Sequence, residues 1–319
     1  MENQGENKKI YFEYLDVVRF AAAFMIIILH AYEAWCGWYG KLGILTGGTY
    51  KDLTNGGTFL HQFIKNLGLG VDIFFLISGF LITYILLEEK KRFNTIQIKK
   101  FIIRRTLRIW PLYFLLIIIA PILVSSVNAS TPNYLANIFF VGNFEIIQAA
   151  KWPYPFAHFW SICIEEHFYL VWPFIILFIP NRYLLRTFSI LIFTSIAFRL
   201  YTYYNSEHPW YTLFLHTISR IDVLVIGAIG AYFYSRKPFT FKLNRITRVL
   251  FFSLLIISLC IEPVVKWNSV FLAGFKKFFY IGIIAVLLLD YNFNPMFKHI
   301  LKKKSFIHYL GKVSYGIYM

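Results

Sequence analysis

The chain has 319 residues, of which 58% are hydrophobic and 20% aromatic, and its mean hydropathy is +0.58. These values lie outside the range of soluble domains and imply a polytopic membrane protein. The net charge of +16 does not redirect it to nucleic acid, because Lys and Arg fall in short segments between apolar runs, the distribution that orients membrane proteins.

The first long apolar run, Leu15 to Trp35, is long enough to cross a bilayer and carries Arg19 and His30 within it. Ionisable groups inside such a segment are costly and point to function. Eleven residues apart, they stand about 20° apart around a helix axis and about 16 Å apart along it. One face then carries a fixed cation at one depth and an imidazole at another, an arrangement suited to a long anionic ligand. Lys8 and Lys9 before this run imitate a signal peptide, but the run is too long and lacks a small-residue cleavage pattern, so it reads as a retained span.

A Gly-rich polar stretch over 36–62 precedes a second run, Leu67 to Leu87. The densest basic cluster follows: Lys90, Lys91, Arg92, Lys99, Lys100, Arg104, Arg105 and Arg108. The positive-inside rule places that cluster, and hence the N-terminus, in the cytoplasm. The third span is expected from Ile109 to Val127, with Pro111 tolerated in its first turn. After an outside loop come runs at Phe159 to Ile179, Leu184 to Tyr203, Tyr211 to Tyr234, Val249 to Ile261 and Val270 to Leu289. Ser305 to Met319 gives only about 22 Å of helix, short of the roughly 30 Å hydrocarbon core. Either that helix does not cross or the chain stops before its natural end. The fold class is all-α, a polytopic membrane helix bundle of about nine to ten transmembrane segments. No inter-span segment is long enough for a soluble core, and no internal repeat is visible. Cys36, Cys163 and Cys260 have neither metal-ligand nor disulfide spacing.

Four ordered stretches resemble the acyltransferase-3 family of multi-pass membrane acyltransferases. They are Leu15 to His30, with Arg and His separated by ten residues; Gly70 to Ile82 (GVDIFFLISGFLI); Phe101 to Tyr113 (FIIRRTLRIWPLY); and Phe159 to Pro173 (FWSICIEEHFYLVWP). Arg220 to Gly227 is a weaker fifth match, and Leu310 to Met319 is similar to the opening of the family's final helix. The resemblance implies one integral-membrane acyltransferase domain over residues 1–319, incomplete at its C-terminus, in the plasma (inner) membrane. It implies transfer of an acyl group, acetyl foremost, from cytoplasmic acyl-CoA to a hydroxyl of a surface glycan or lipid-linked acceptor, with no permanently bound cofactor.

His30, able to exchange a proton near neutral pH, is the expected general base for that hydroxyl. A histidine base needs a partner to fix its tautomer, and Glu33, Asp72, Glu165 and Glu166 are the candidates at similar depth; Glu166 is preferred and Glu33 is second. Arg19, Arg104, Arg105 and Arg108 are expected to hold the nucleotide and pyrophosphate while the pantetheine arm rises along the first helix. Arg220 and Asp222 form either a structural ion pair or part of the cavity wall, together with Asp72, Glu165 and Glu33. Asp16, three residues before Arg19, can neutralise it. Ser78 and Gly79 read as close-packing residues rather than a covalent serine, since no base is evident beside Ser78. The competing function is a transporter or flippase in which Arg19, Asp72, Glu166, Arg220 and Asp222 line a path and no bond is made.

Overall fold

The computed structural model describes residues 12–42, 59–126, 132–153, 156–236, 242–261, 270–293, 306–314 and 316. Among these the secondary structure is helical throughout, as expected. In chain order the helices are α1 (Glu13–Leu42), α2 (Phe59–Asn66), α3 (Leu69–Phe93), α4 (Ile98–Ser126), α5 (Tyr134–Ile138) and α6 (Gly142–Ala149). They continue with α7 (Phe159–Phe178), α8 (Leu184–Asn205), α9 (Pro209–Leu215), α10 (Thr217–Ser235), α11 (Arg245–Ile261), α12 (Val270–Phe293) and α13 (Phe306–Lys312). Six segments of the described residues are long and apolar enough to cross a membrane: Tyr14–Trp35, Phe63–Phe93, Ile98–Ser125, Phe156–Phe178, Leu184–Asn205 and Pro209–Ser235. Shorter apolar helices accompany them, so the count of nine to ten is approximate. This is an integral membrane bundle.

The middle of the bundle is α3, 72% of whose apolar window is buried against 22% for α8. Its tightest partner is α10. Gly79 of α3 lies against the Leu224 backbone, and Gly227 of α10 against the Leu76 backbone, so close that a Cβ at either would fall about 2 Å from a carbonyl oxygen. Absent side chains let two backbones approach where apolar burial alone supplies little drive. Gly311 plays the same part between α13 and α1, against the Asp16 carbonyl.

Two helices differ from expectation in their bounds. The third span begins as helix at Ile98 rather than near Ile109, so Arg104, Arg105 and Arg108 lie within α4 and Pro111 falls in its interior. No Gly or Pro interrupts 98–110, and membrane helices tolerate an interior proline where neighbours meet the freed carbonyl. The run Tyr211 to Tyr234 is broken at His216, whose extended backbone separates α9 from α10 and whose Nδ1 accepts from the Ile218 N–H as an N-cap. At the other end of α7, Lys90 of α3 donates to the carbonyls of Ile176, Leu177 and Ile179, at 2.6, 3.1 and 3.0 Å. That lysine meets acceptors a helix C-terminus leaves open.

Candidate active site

Where α1, α3, α4 and α7 meet they leave a cleft of about 750 Å³, counted out to its open mouth. Arg19, Arg105, Arg108, Ser78, Glu165 and Tyr169 supply its polar lining, with Ser161 and Ser314, while Val71, Phe74, Phe75, Leu81 and Ile82 make an apolar wall. The lining follows α3 from Val71 to Ile82, roughly 16 Å of helix. It is therefore elongated along α3, with polar groups contributed by α1, α3, α4 and α7.

Its charge is unbalanced. Arg19 has a neighbouring carboxylate, Asp16, at 3.3 Å. Neither Arg105 nor Arg108 has an ion-pair partner within 4.0 Å among the described residues; Arg105 lies over the rings of Phe101 and Tyr169 at 5.6 and 5.8 Å. Arg105 is partly buried and Arg108 is exposed at the mouth; a guanidinium partly withdrawn from water without a counter-ion is costly, and a site that keeps it is prepared for an anion. The one carboxylate in the lining among the described residues, Glu165, is instead engaged by neutral hydroxyls. Ser78 Oγ donates to its Oε1 at 2.9 Å, and Tyr169 OH donates to its Oε2 at 2.6 Å.

The remaining expected site residues are distributed as follows. Arg104 points away from the cleft, with an exposed side chain 3.8 Å from Glu89. His30 lies outside the lining, half exposed one turn beyond Ile26 on α1. The carboxylate beside it is Glu33, at 3.5 Å, which in turn meets Lys65 Nζ at 2.5 Å. Glu166, the partner preferred from sequence, accepts from Trp110 Nε1 at 3.2 Å instead. Glu165 and Glu166 sit almost two turns inside α7 rather than at its first turn, so neither is a helix-start charge facing water. Asp72, Arg220 and Asp222 are sealed into the bundle at 5%, 0% and 1% exposure. Arg220 does not pair with Asp222. It reaches Asp72 at 3.2 Å, while Asp222 is held by Arg199 at 2.7 Å.

The cleft and His30 are nonetheless related through α3. A Cβ on Gly70 would stand 2.5 Å from the Ala22 carbonyl oxygen and 2.9 Å from the Ile26 side chain, so the upper end of the lining, at Val71, lies level with that part of α1. His30 is four residues beyond Ile26, about 6 Å further along.

Three residues of this region are not singled out by sequence patterns as the structure uses them. Tyr169 is visible only as an i, i+4 neighbour of Glu165, and Arg199 only as a lone charge in an apolar run. Ser78 lies in a recognisable stretch, but its acidic neighbour is 87 positions away in sequence and no spacing reveals it.

Comparison with known proteins agrees with these features. The provisionally named O-acetyltransferase SACOL0978 of Staphylococcus aureus (strain COL) is 28% identical over 98% of this chain and 50% of its own length. The O-acetyltransferase OatA of Staphylococcus aureus (strain NCTC 8325) is 28% identical over 81% of this chain and 46% of its own. The chain thus spans about half the length of the curated relatives it matches. No solved structure matches. A family described as an acyltransferase domain matches residues 12–319, and the chain belongs to that family of acyltransferases.

Proposed function

We propose that the chain is a membrane O-acetyltransferase taking its acyl group from acyl-CoA and passing it to a hydroxyl of a surface glycan or lipid-linked acceptor. The observation that carries this reading is the pair of guanidiniums, Arg105 and Arg108, without an ion-pair partner among the described residues, in a cleft whose far end approaches His30. The donor's phosphates rest on Arg105 and Arg108 with Arg19, and its arm lies along α3. The thioester then emerges near His30, which takes the acceptor's proton as that oxygen attacks the acyl carbon and the C–S bond breaks. Glu33 sits where it can orient the imidazole. The sealing of Asp72, Arg220 and Asp222 into ion pairs supports this reading over a charged transport path, because none of the three faces an open conduit.

The test uses the purified protein in detergent and membranes of cells expressing it. Acetyl-CoA binding should weaken about 100-fold in the R105A/R108A double variant, about tenfold for each charge-assisted hydrogen bond removed. His30→Ala should keep donor binding while transfer of labelled acetyl to the glycan and lipid fractions falls about 10²- to 10⁴-fold. Undiminished binding in the double variant would remove the donor site, and undiminished transfer in H30A would remove the base.

A further inference from the structure

Glu165 poses a question that the arginines do not answer. Among the described residues it is the single carboxylate in a cleft lined by three arginines, yet no arginine lies within 4.0 Å of it. A carboxylate placed to neutralise guanidiniums would pair with one of them. Here two hydroxyls, Ser78 and Tyr169, take one position on each oxygen and fix the group's orientation. A carboxylate has about four acceptor positions, so the remaining ones are free for donors in the cleft.

Its height in the cleft indicates which donors arrive. The Arg105 guanidinium lies over the Tyr169 ring, and Glu165 is four residues from Tyr169 on α7, hence about 6 Å further towards the His30 end. A chain leaving a phosphate on Arg105 meets Glu165 within one helical turn, between apolar side chains such as Phe74 and Leu81. A fatty chain would offer no donor to the acceptor positions that Ser78 and Tyr169 do not take, which is costly for a carboxylate shielded from water. A chain bearing hydroxyl and amide groups on an aliphatic skeleton satisfies both kinds of lining.

Resting on the donor reading above, we infer that Glu165 is the specificity-determining residue for the donor's arm: its carboxylate, oriented by Ser78 and Tyr169, accepts hydrogen bonds from the hydroxyl and first amide N–H of the pantetheine chain. Glu165 acts in binding, and Ser78 carries no acyl group at any step. This separates it from the arginines, which recognise the nucleotide end.

The experiment compares two probes on the detergent-purified protein: acetyl-CoA, which carries the arm, and adenosine 3′,5′-bisphosphate, which has phosphates but no arm. Glu165→Gln should weaken acetyl-CoA about 10- to 100-fold and leave the bisphosphate unchanged, whereas R105A should weaken both. Ser78→Ala and Tyr169→Phe, which keep the charge but release its orientation, should show the Glu165→Gln pattern more weakly, and they carry the test if Glu165→Gln does not fold. Equal effects on both probes, or none on acetyl-CoA, overturn the inference while leaving the donor site standing. Failure of the unmodified protein to bind either probe overturns the donor reading and this inference with it. Acetyl label retained on Ser78 after denaturation would make Glu165 a base for a covalent serine and also overturn it.

Discussion

Two positions apart on one helix, Arg220 and Asp222 point about 200° away from each other around its axis, so mutual pairing is geometrically excluded. Each looks outward from α10 instead, Arg220 to Asp72 on α3 and Asp222 to Arg199 on α8. The Arg220 guanidinium also lies 4.9 to 5.7 Å from the ring centres of Phe214, Trp160 and Phe75, a cation–π setting that offsets part of its desolvation. Removing one member leaves the other buried and uncompensated, so R220M should destabilise the protein by about 3–5 kcal/mol. The double variant D72L/R220M should recover most of that loss, since replacing both charges by apolar groups removes the penalty along with the attraction. Unfolding midpoints in detergent would show whether the pair behaves this way; a double variant no better than R220M would contradict it. Phe75 also lines the cleft, so this ion pair stands directly behind the proposed donor site.

The helices meet at their smallest residues, and this gives opposite expectations for two glycines. A methyl group at Gly79 would fall 1.9 Å from the Leu224 carbonyl oxygen and 2.7 Å from its carbon, backbone atoms that cannot rotate away. Gly79→Ala must push α3 and α10 apart, with a cost of about 1–3 kcal/mol or more and a lowered unfolding midpoint. At Gly282, inside α12, a Cβ meets nothing within 4 Å among the described residues. Gly282→Ala should therefore stabilise the protein by about 0.5–1 kcal/mol through helix propensity alone. Destabilisation by both, or by neither, would mean that close backbone approach is not what Gly79 provides. The same contrast shows what could be read from the sequence. Apolar length located the six candidate spans, and angular spacing placed Arg19 and His30 near one face of α1. Arg19 enters the cleft while His30, at an angle between Arg19 and the buried Ala23, is half exposed because it stands one turn beyond Ile26, where α1 meets the start of α3. The break at His216 and the onset of α4 at Ile98 depend on local backbone choices that hydropathy does not register. Pairings such as Ser78 with Glu165 or Asp72 with Arg220 join helices far apart in sequence, so only their packing could disclose them.

For the molecule as a whole, the proposed chemistry requires that the end of the cleft carrying Arg105 face the compartment that contains acyl-CoA. Charge supports that orientation. Lys90, Lys91 and Arg92 close α3, and Lys99, Lys100 and Arg104 open α4, so six cations crowd the turn between two spans. The stretch between α4 and α7 carries Lys151 alone. Such asymmetry favours retaining the α3–α4 turn in the cytoplasm and exporting the α4–α7 segment. Exposed positions on each side make this measurable: in a variant whose own cysteines are replaced, Lys100→Cys and Lys151→Cys each offer one thiol to a membrane-impermeant maleimide. Intact cells should label Lys151→Cys, and Lys100→Cys should react only after permeabilisation. Labelling in the reverse order would turn Arg105 and Arg108 outward, away from acyl-CoA, and His30 inward, away from any surface acceptor. The donor and acceptor assignments would then fall together, because both follow from the direction in which α1 and α4 cross the bilayer.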